Sequence, residues 1–306
     1  MSELTVGAAP AVPAPRRRGL ADAEVAVLVE AMPGLPLPAD LLSGWSPELS
    51  GEAQQAARRA AWESLAASGV LTGVPGSVAE LPRLVNRAVL EALALPATAT
   101  LVVGVRSWAR EVAFAGRLAV DGDRGSGVVR RFAVRGGERT PEPGLELSAF
   151  AAESLLDEVL RVLPPSRVGV PAEEASGVDL RAVDSAAVVA AMREGRTAVA
   201  DELARQAGLD GVPAVLEDLA LRREGGAEVS LARPDGLRPP VVATWWLAGG
   251  RWWRALSAPA QADEPLRQTL RLRPTSREEA RDDLLLAMTG LLAAQDDGDV
   301  EGAGRG

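Results

Sequence analysis

Residues 245–253, Trp245-Trp246-Leu247-Ala248-Gly249-Gly250-Arg251-Trp252-Trp253, hold four of the chain's seven tryptophans. The Gly249-Gly250 pair suits a two-residue hairpin turn, because the turns that match strand twist need positive φ at their central positions. That turn pairs Trp246 with Trp253 and Leu247 with Trp252. Side chains alternate faces along a strand. Trp246 and Trp253 therefore share one face, and Trp245, Leu247 and Trp252 share the other. Both faces are strongly apolar, which a sheet with one wet face does not tolerate. Either helices cover both faces, or one face is a docking surface. In the second case Trp245 and Trp252 are its partner-binding residues, since tryptophan is favoured at interface hot spots.

The hairpin belongs to a repeated layout. Before it lie residues 177–221, read as helical, with Val188, Val189, Met192, Val199 and Leu203 at apolar positions. Strands follow at Glu228–Ala232, Val241–Leu247 and Arg251–Leu256. A strand at Leu270-Arg271-Leu272 leads into a last helix capped by Ser276-Arg277-Glu278-Glu279 and carrying Leu284, Leu285, Met288, Leu291 and Leu292.

The N-terminal part repeats this order. Val25, Leu28, Val29 and Met32 recur at helical spacing, and Gly51–Ser68 reads as a second helix. Ser77-Val78-Ala79-Glu80 has a capping-box pattern and precedes a third helix from Leu81 to Leu95, closed by Pro96. Strands around 99–105, Val112–Val120 and Val128–Val134 form an antiparallel meander, with Asp121–Gly127 as a turn. Leu145-Glu146-Leu147 then leads into a helix carrying Phe150, Leu155, Val159, Leu160 and Leu163.

The predicted fold class is α+β: an antiparallel sheet flanked by helical subdomains, with a quasi-twofold duplication of helices, meander and helix. The expected boundaries are a disordered leader over 1–18, an N-terminal half over 19–165, a linker over 166–176, a C-terminal half over 177–293 and a disordered acidic tail over 294–306. Arg16-Arg17-Arg18, the tightest basic cluster, falls in the expected leader and reads there as a solvated tail.

Composition narrows the chemistry. The chain has 306 residues and contains no His, Cys or Tyr, and also no Lys or Ile; every cationic side chain is arginine. Without His there is no Ser–His–Asp triad and no imidazole base. Without Cys there is no thiol nucleophile and no thiolate metal site. Without Lys there is no Schiff base and no phosphate-loop lysine. GC-rich coding accounts for the missing Lys, Ile and Tyr, but not for the missing His and Cys. What remains is carboxylate chemistry, as in a hydrolase using paired acids or a hard-cation site. Glu278-Glu279 and Asp282-Asp283 read as helix-capping and solvating charges instead, and Asp121-Gly122-Asp123-Arg124-Gly125 lacks the acidic continuation of a calcium loop. The expectation is a non-enzyme without metal or cofactor.

The net charge of −9 argues against nucleic acid as a partner, and no apolar stretch approaches the length that spans a bilayer. Met1-Ser2-Glu3 opens without the basic start of a secretory signal. The expected location is cytoplasmic.

Several segments stand in a distinctive order and spacing: the bend Leu35-Pro36-Leu37-Pro38, the helix end Leu65-Ala66-Ala67-Ser68-Gly69-Val70-Leu71, the run Leu81–Pro96 entering the strand Thr98–Val105, and the late hairpin Val241–Leu256 with its short strand and final helix. In this order and spacing the chain resembles the EspG family, the cytosolic chaperones of type VII (ESX) secretion in actinobacteria. The resemblance covers residues 19–293. It implies an antiparallel sheet with helical subdomains in quasi-twofold arrangement. It also implies a partner: a helical secreted substrate of the PE–PPE or WXG type, a heterodimer or small helical hairpin kept soluble until export. By the same resemblance the first hairpin loop and the C-terminal helical region face the client. Here the loop offers Asp121, Asp123 and Arg124, with Arg124 placed to pair with a client carboxylate. The alternatives are a structural or regulatory protein that self-associates through the tryptophan hairpin, and a hydrolase that uses only carboxylates.

Overall fold

The computed structural model describes residues 14–38, 41–42, 51–165, 177–236, 238–257 and 269–293. The expected leader up to residue 13, the expected linker 166–176 and the expected acidic tail 294–306 lie outside the described residues.

In chain order the N-terminal elements are β1 (Arg16–Leu20), α1 (Asp22–Ala31), α2 (Gly51–Ala67), α3 (Leu81–Leu84), α4 (Arg87–Thr98), β2 (Leu101–Trp108), β3 (Val112–Asp121), β4 (Arg124–Arg135), β5 (Glu138–Pro141), β6 (Leu145–Ala151) and α5 (Leu155–Arg161). They are followed by β7 (Val178–Arg181), α6 (Ala182–Arg193), α7 (Thr197–Gln206), α8 (Ala214–Leu221), β8 (Arg223–Ala232), β9 (Val241–Ala248), β10 (Arg251–Ser257), β11 (Thr269–Thr275) and α9 (Arg277–Ala293). The class is α+β, built on a large antiparallel sheet.

The sheet has eleven strands in the order β1-β6-β4-β3-β2-β8-β9-β10-β11-β7, with β5 pairing β4 off this path. The order reads the same from either edge once β1, β2, β3, β4 and β6 are matched with β7, β8, β9, β10 and β11. The central pair, β2 with β8, is antiparallel, with Val105 opposite Val229. An antiparallel pair is what a twofold through the middle of a sheet requires.

Two compact units can be distinguished. One comprises Met1–Thr100, Leu118–Val128 and Pro143–Glu158; the other comprises Leu101–Arg117, Val129–Glu142 and Val159–Gly306. This division differs from the expected halves, because β2 is paired along its length with β8 and goes with the second unit.

In the first unit, Val25 and Leu28 of α1 meet Leu20, Leu93, Leu145 and Leu147 around one small void. The basic triplet is not a solvated tail. Arg16, Arg17 and Arg18 are in β1, opposite Ala149, Ser148 and Leu147 of β6. Arg17 forms an ion pair with Glu158, whose side chain is buried. Charged residues on an edge strand discourage further pairing, and such a strand has no apolar alternation to give it away.

The expected helix from Leu81 to Leu95 is broken. The backbone at Val70–Thr72 pairs with Leu84–Asn86: Asn86 N donates to Val70 O at 2.7 Å, and Thr72 N donates to Leu84 O at 2.7 Å. Asn86, the chain's single asparagine, then caps α4 by accepting from Ala88 N at 3.0 Å. An Asx side chain that satisfies a helix N-terminus favours a new start over continuation. Pro96 lies inside α4 rather than closing it. Glu80 accepts from Gly76 N at 2.9 Å and does not cap a helix through Ser77. Phe150 lies in β6, ahead of α5.

In the second unit the segment expected to be helical from residue 177 begins with a strand, β7, before α6. The hairpin register is as anticipated: Trp246 opposite Trp253, Leu247 opposite Trp252, and Trp245 opposite Arg254. Gly249 and Gly250 have φ of 59° and 77°. One face of β8–β11 packs on α6, α7 and α8. There Trp253, Leu270 and Leu272 join Val188, Ala200, Leu216 and Leu219, with Trp246 against them. The other face lies against α9: Asp283 is 3.3 Å from Arg254 Nε and 3.2 Å from Arg273 of the sheet. Ala280, Leu284, Met288 and Leu291 of the same helix are buried.

Candidate interaction surfaces

The tryptophans expected to bind a partner are interior. Trp245 is 1% exposed and Trp252 5%. Arg254 stacks on the Trp245 ring at 4.5 Å and sits beside Asp283. Burial lowers the Arg254 pKa from the usual guanidinium value, against the opposing pull of Asp283 and with a further push down from Arg273. A cation held over an indole and next to a carboxylate stabilises a packed interface between sheet and helix. The hairpin therefore supplies core on both faces, and Trp245 and Trp252 are not a docking patch.

The first hairpin turn is tighter than expected. Asp121 ends β3, Gly122 and Asp123 make the turn, and Arg124 opens β4. Asp123 and Arg124 are exposed, while Asp121 is half-buried. Asp123 O accepts from Ala152 N at 3.0 Å, which ties the turn to the end of β6. Arg124 stands 3.6 Å from Glu91 of α4. The Glu91 carboxylate is held below its ordinary pKa, first by the hydrogen bond from Arg87, with burial opposing and the charges of Arg87 and Arg124 adding. Arg124 thus has an internal partner in Glu91. The turn lies in the first unit and the tryptophans lie in the second.

Among the described residues, exposed large apolar side chains occur at Leu221 and at Val241 and Val242 of β9, and α9 carries three more. Leu285 is 47% exposed, Leu286 75% and Leu292 40%. Leu285 and Leu292 are seven residues apart, two turns along one side of the helix. Thr289 lies between them and donates its hydroxyl to Leu285 O at 2.8 Å. That bond satisfies the hydroxyl internally. The sequence carries a signal for this surface. Leu284, Leu285, Leu286, Met288, Leu291 and Leu292 are more apolar residues than a single core stripe can bury.

The start of α9 is capped as expected. Ser276 N donates to Glu279 Oε2 at 2.6 Å, and Glu279 N donates to Ser276 Oγ at 3.0 Å. The Glu279 pKa is lowered, chiefly by the Ser276 backbone N–H. Among the described residues no group of three or more acidic side chains converges to hold a metal ion, and no helix is long and apolar enough to cross a membrane.

No protein-family model and no curated protein matches the chain. Among solved structures it is similar to the full-length peroxisomal multifunctional enzyme type 2 from Drosophila melanogaster, at 8% identity and a TM-score of 0.16, covering 85% of this chain and 48% of that one. The chain thus spans about half the length of that enzyme. It is also similar to a MaoC-like dehydratase from Phytophthora capsici, at 9% identity and a TM-score of 0.18, covering 87% of this chain and 96% of that one. A third is a conserved hypothetical protein from Mycobacterium tuberculosis with a double hotdog fold, at 14% identity and a TM-score of 0.13, covering 85% of this chain and 92% of that one. Likenesses at these TM-scores carry no argument about what this chain does.

Proposed function

We propose that this chain is a non-catalytic, cytoplasmic chaperone or adaptor that docks a helical protein partner. The partner class follows the EspG-like order of its segments: PE–PPE or WXG-type substrates of type VII secretion. The observation that carries the reading is the ridge of Leu285, Leu286 and Leu292 on α9, exposed while the opposite side of the same helix is buried. Apolar side chains grouped on a surface mark interaction sites. A ridge of leucines along a helix suits the apolar face of a partner helix. The catalytic inventory points the same way, since a docking protein needs complementarity and no proton transfer.

The test is co-expression with PE–PPE and WXG-type proteins encoded in the same genome. The expected result is co-purification and improved client solubility. The variant Leu285→Glu/Leu286→Glu loses both while unfolding at a similar temperature, because surface substitutions shift stability by only about 0.5 kcal/mol. If the wild-type chain neither co-purifies with nor solubilises any of them, the reading fails. If light scattering shows a homodimer that the same double substitution dissolves, the ridge serves self-association and the chaperone reading is overturned.

A further inference from the structure

A groove of about 380 Å³ lies between α6, α8 and the strand face that carries Trp246. Its walls are apolar, from Val189, Leu216, Leu219, Leu270 and Leu272, and two guanidinium groups line it, Arg193 and Arg223. A third, Arg139, stands with Arg223 at the Trp108 ring, each 5.5 Å from the ring centroid. The fold places these groups together by an irregularity. Between Arg223 and Gly225 the pairing of β8 with β9 slips by one residue. Alternation would send Arg223 to the α9 face; the bulge turns it onto the face of Trp246 and Ala248.

Among the described residues no acid forms an ion pair with Arg139, Arg193 or Arg223. Burial lowers the Arg223 pKa, and the charged neighbours that lower it further are Arg193 and Arg139. Arg193 donates to the neutral Leu219 carbonyl at 3.3 Å. Repelling guanidinium groups beside an apolar cleft gain most from an anion that brings its own apolar body.

We infer that this groove binds a small amphipathic carboxylate, with its tail against Trp246 and the leucines and its headgroup on Arg193 and Arg223. The volume falls in the range of about 300–1,000 Å³ usual for small-molecule sites, and the walls combine apolar area with a few polar groups in the way such sites do. The inference is independent of the leucine ridge on α9, which belongs to the opposite side of the sheet strands.

The test is calorimetric titration of the full chain with decanoate and with 1-decanol, each below its aggregation concentration. Decanoate is expected to bind saturably, at least about tenfold more tightly than decanol, since a charge-assisted hydrogen bond contributes that much. Arg193→Gln/Arg223→Gln is expected to remove the preference. Ala186→Trp, at an exposed α6 position on the groove, is expected to abolish binding of both probes; it keeps the inference testable if the arginine variant folds poorly. Equal binding of the two probes, absence of saturable decanoate binding at millimolar concentration, or unchanged binding by the Ala186→Trp variant would overturn it.

Discussion

A Cβ at Gly226 would overlap the Trp108 indole and stand 2.9 Å from the Trp245 carbonyl oxygen. Trp108, Gly226, Trp246 and Trp253 are consecutive cross-strand partners on β2, β8, β9 and β10. Gly226 is thus the gap in a row of tryptophans, and the Trp108 ring fills it. Glycine within a strand commonly marks such a close approach. Gly226→Ala is expected to destabilise the protein by about 1–3 kcal/mol through overpacking, read from urea unfolding. Trp108→Leu in the same chain relieves the ring overlap but not the carbonyl contact. A double-mutant cycle therefore gives partial rescue, and strict additivity would refute the ring as the cause. The strand expected from Glu228 begins at Arg223 instead and so includes Gly226. The indole that makes glycine necessary comes from a strand more than a hundred residues earlier.

At the level of elements, local chemistry was legible where the residues that settle it are neighbours. The Ser276–Glu279 cap and the Gly249-Gly250 turn are of this kind. Ser276→Ala is expected to cost about 1 kcal/mol, measured by thermal unfolding. The cap also has a pH signature. Glu279 and Glu91 both have folded pKa values below the usual carboxylate value. Each therefore adds stability that is fully present above the unfolded pKa of about 4.3 and is lost as pH falls through the depressed folded value. Both are solvent-accessible, so the effect is small. An acid titration of Glu279→Gln should show a shallower loss of stability below about pH 4.5 than the wild-type chain; identical slopes would exclude Glu279 as a contributor. Elements set by distant partners were not legible. β1 is held by β6 and by Glu158, and nothing within Arg16-Arg17-Arg18 predicts either. The break between α3 and α4 depends on the backbone at Val70–Thr72.

For the whole molecule, the paired centre of the sheet is the feature with the largest consequence. β8 is bonded to β2 over Gly226–Ala232, and the two belong to one compact unit. A fragment of residues 177–293 would leave that edge of β8 open. An unpaired apolar edge recruits another chain. The fragment is expected to associate with rising concentration in light scattering, whereas the full chain keeps that edge covered. A fragment that stays monomeric at all concentrations would show that β2 is dispensable.

The α+β class, the hairpin register and the duplicated element order could be read from the sequence, because period, turn chemistry and capping act between residues close in the chain. Which apolar faces are covered could not. Trp245 and Trp252 became core on the sheet face where Arg254 meets Asp283 of α9, and Leu285, Leu286 and Leu292 became surface because that helix had more leucines than its one packed side could bury. The bulge that brings Arg223 to the groove of Trp246 likewise exists only once β8 and β9 are paired. Burial is a property of what packs against a residue, and in this chain the packing partners come from segments far apart in sequence.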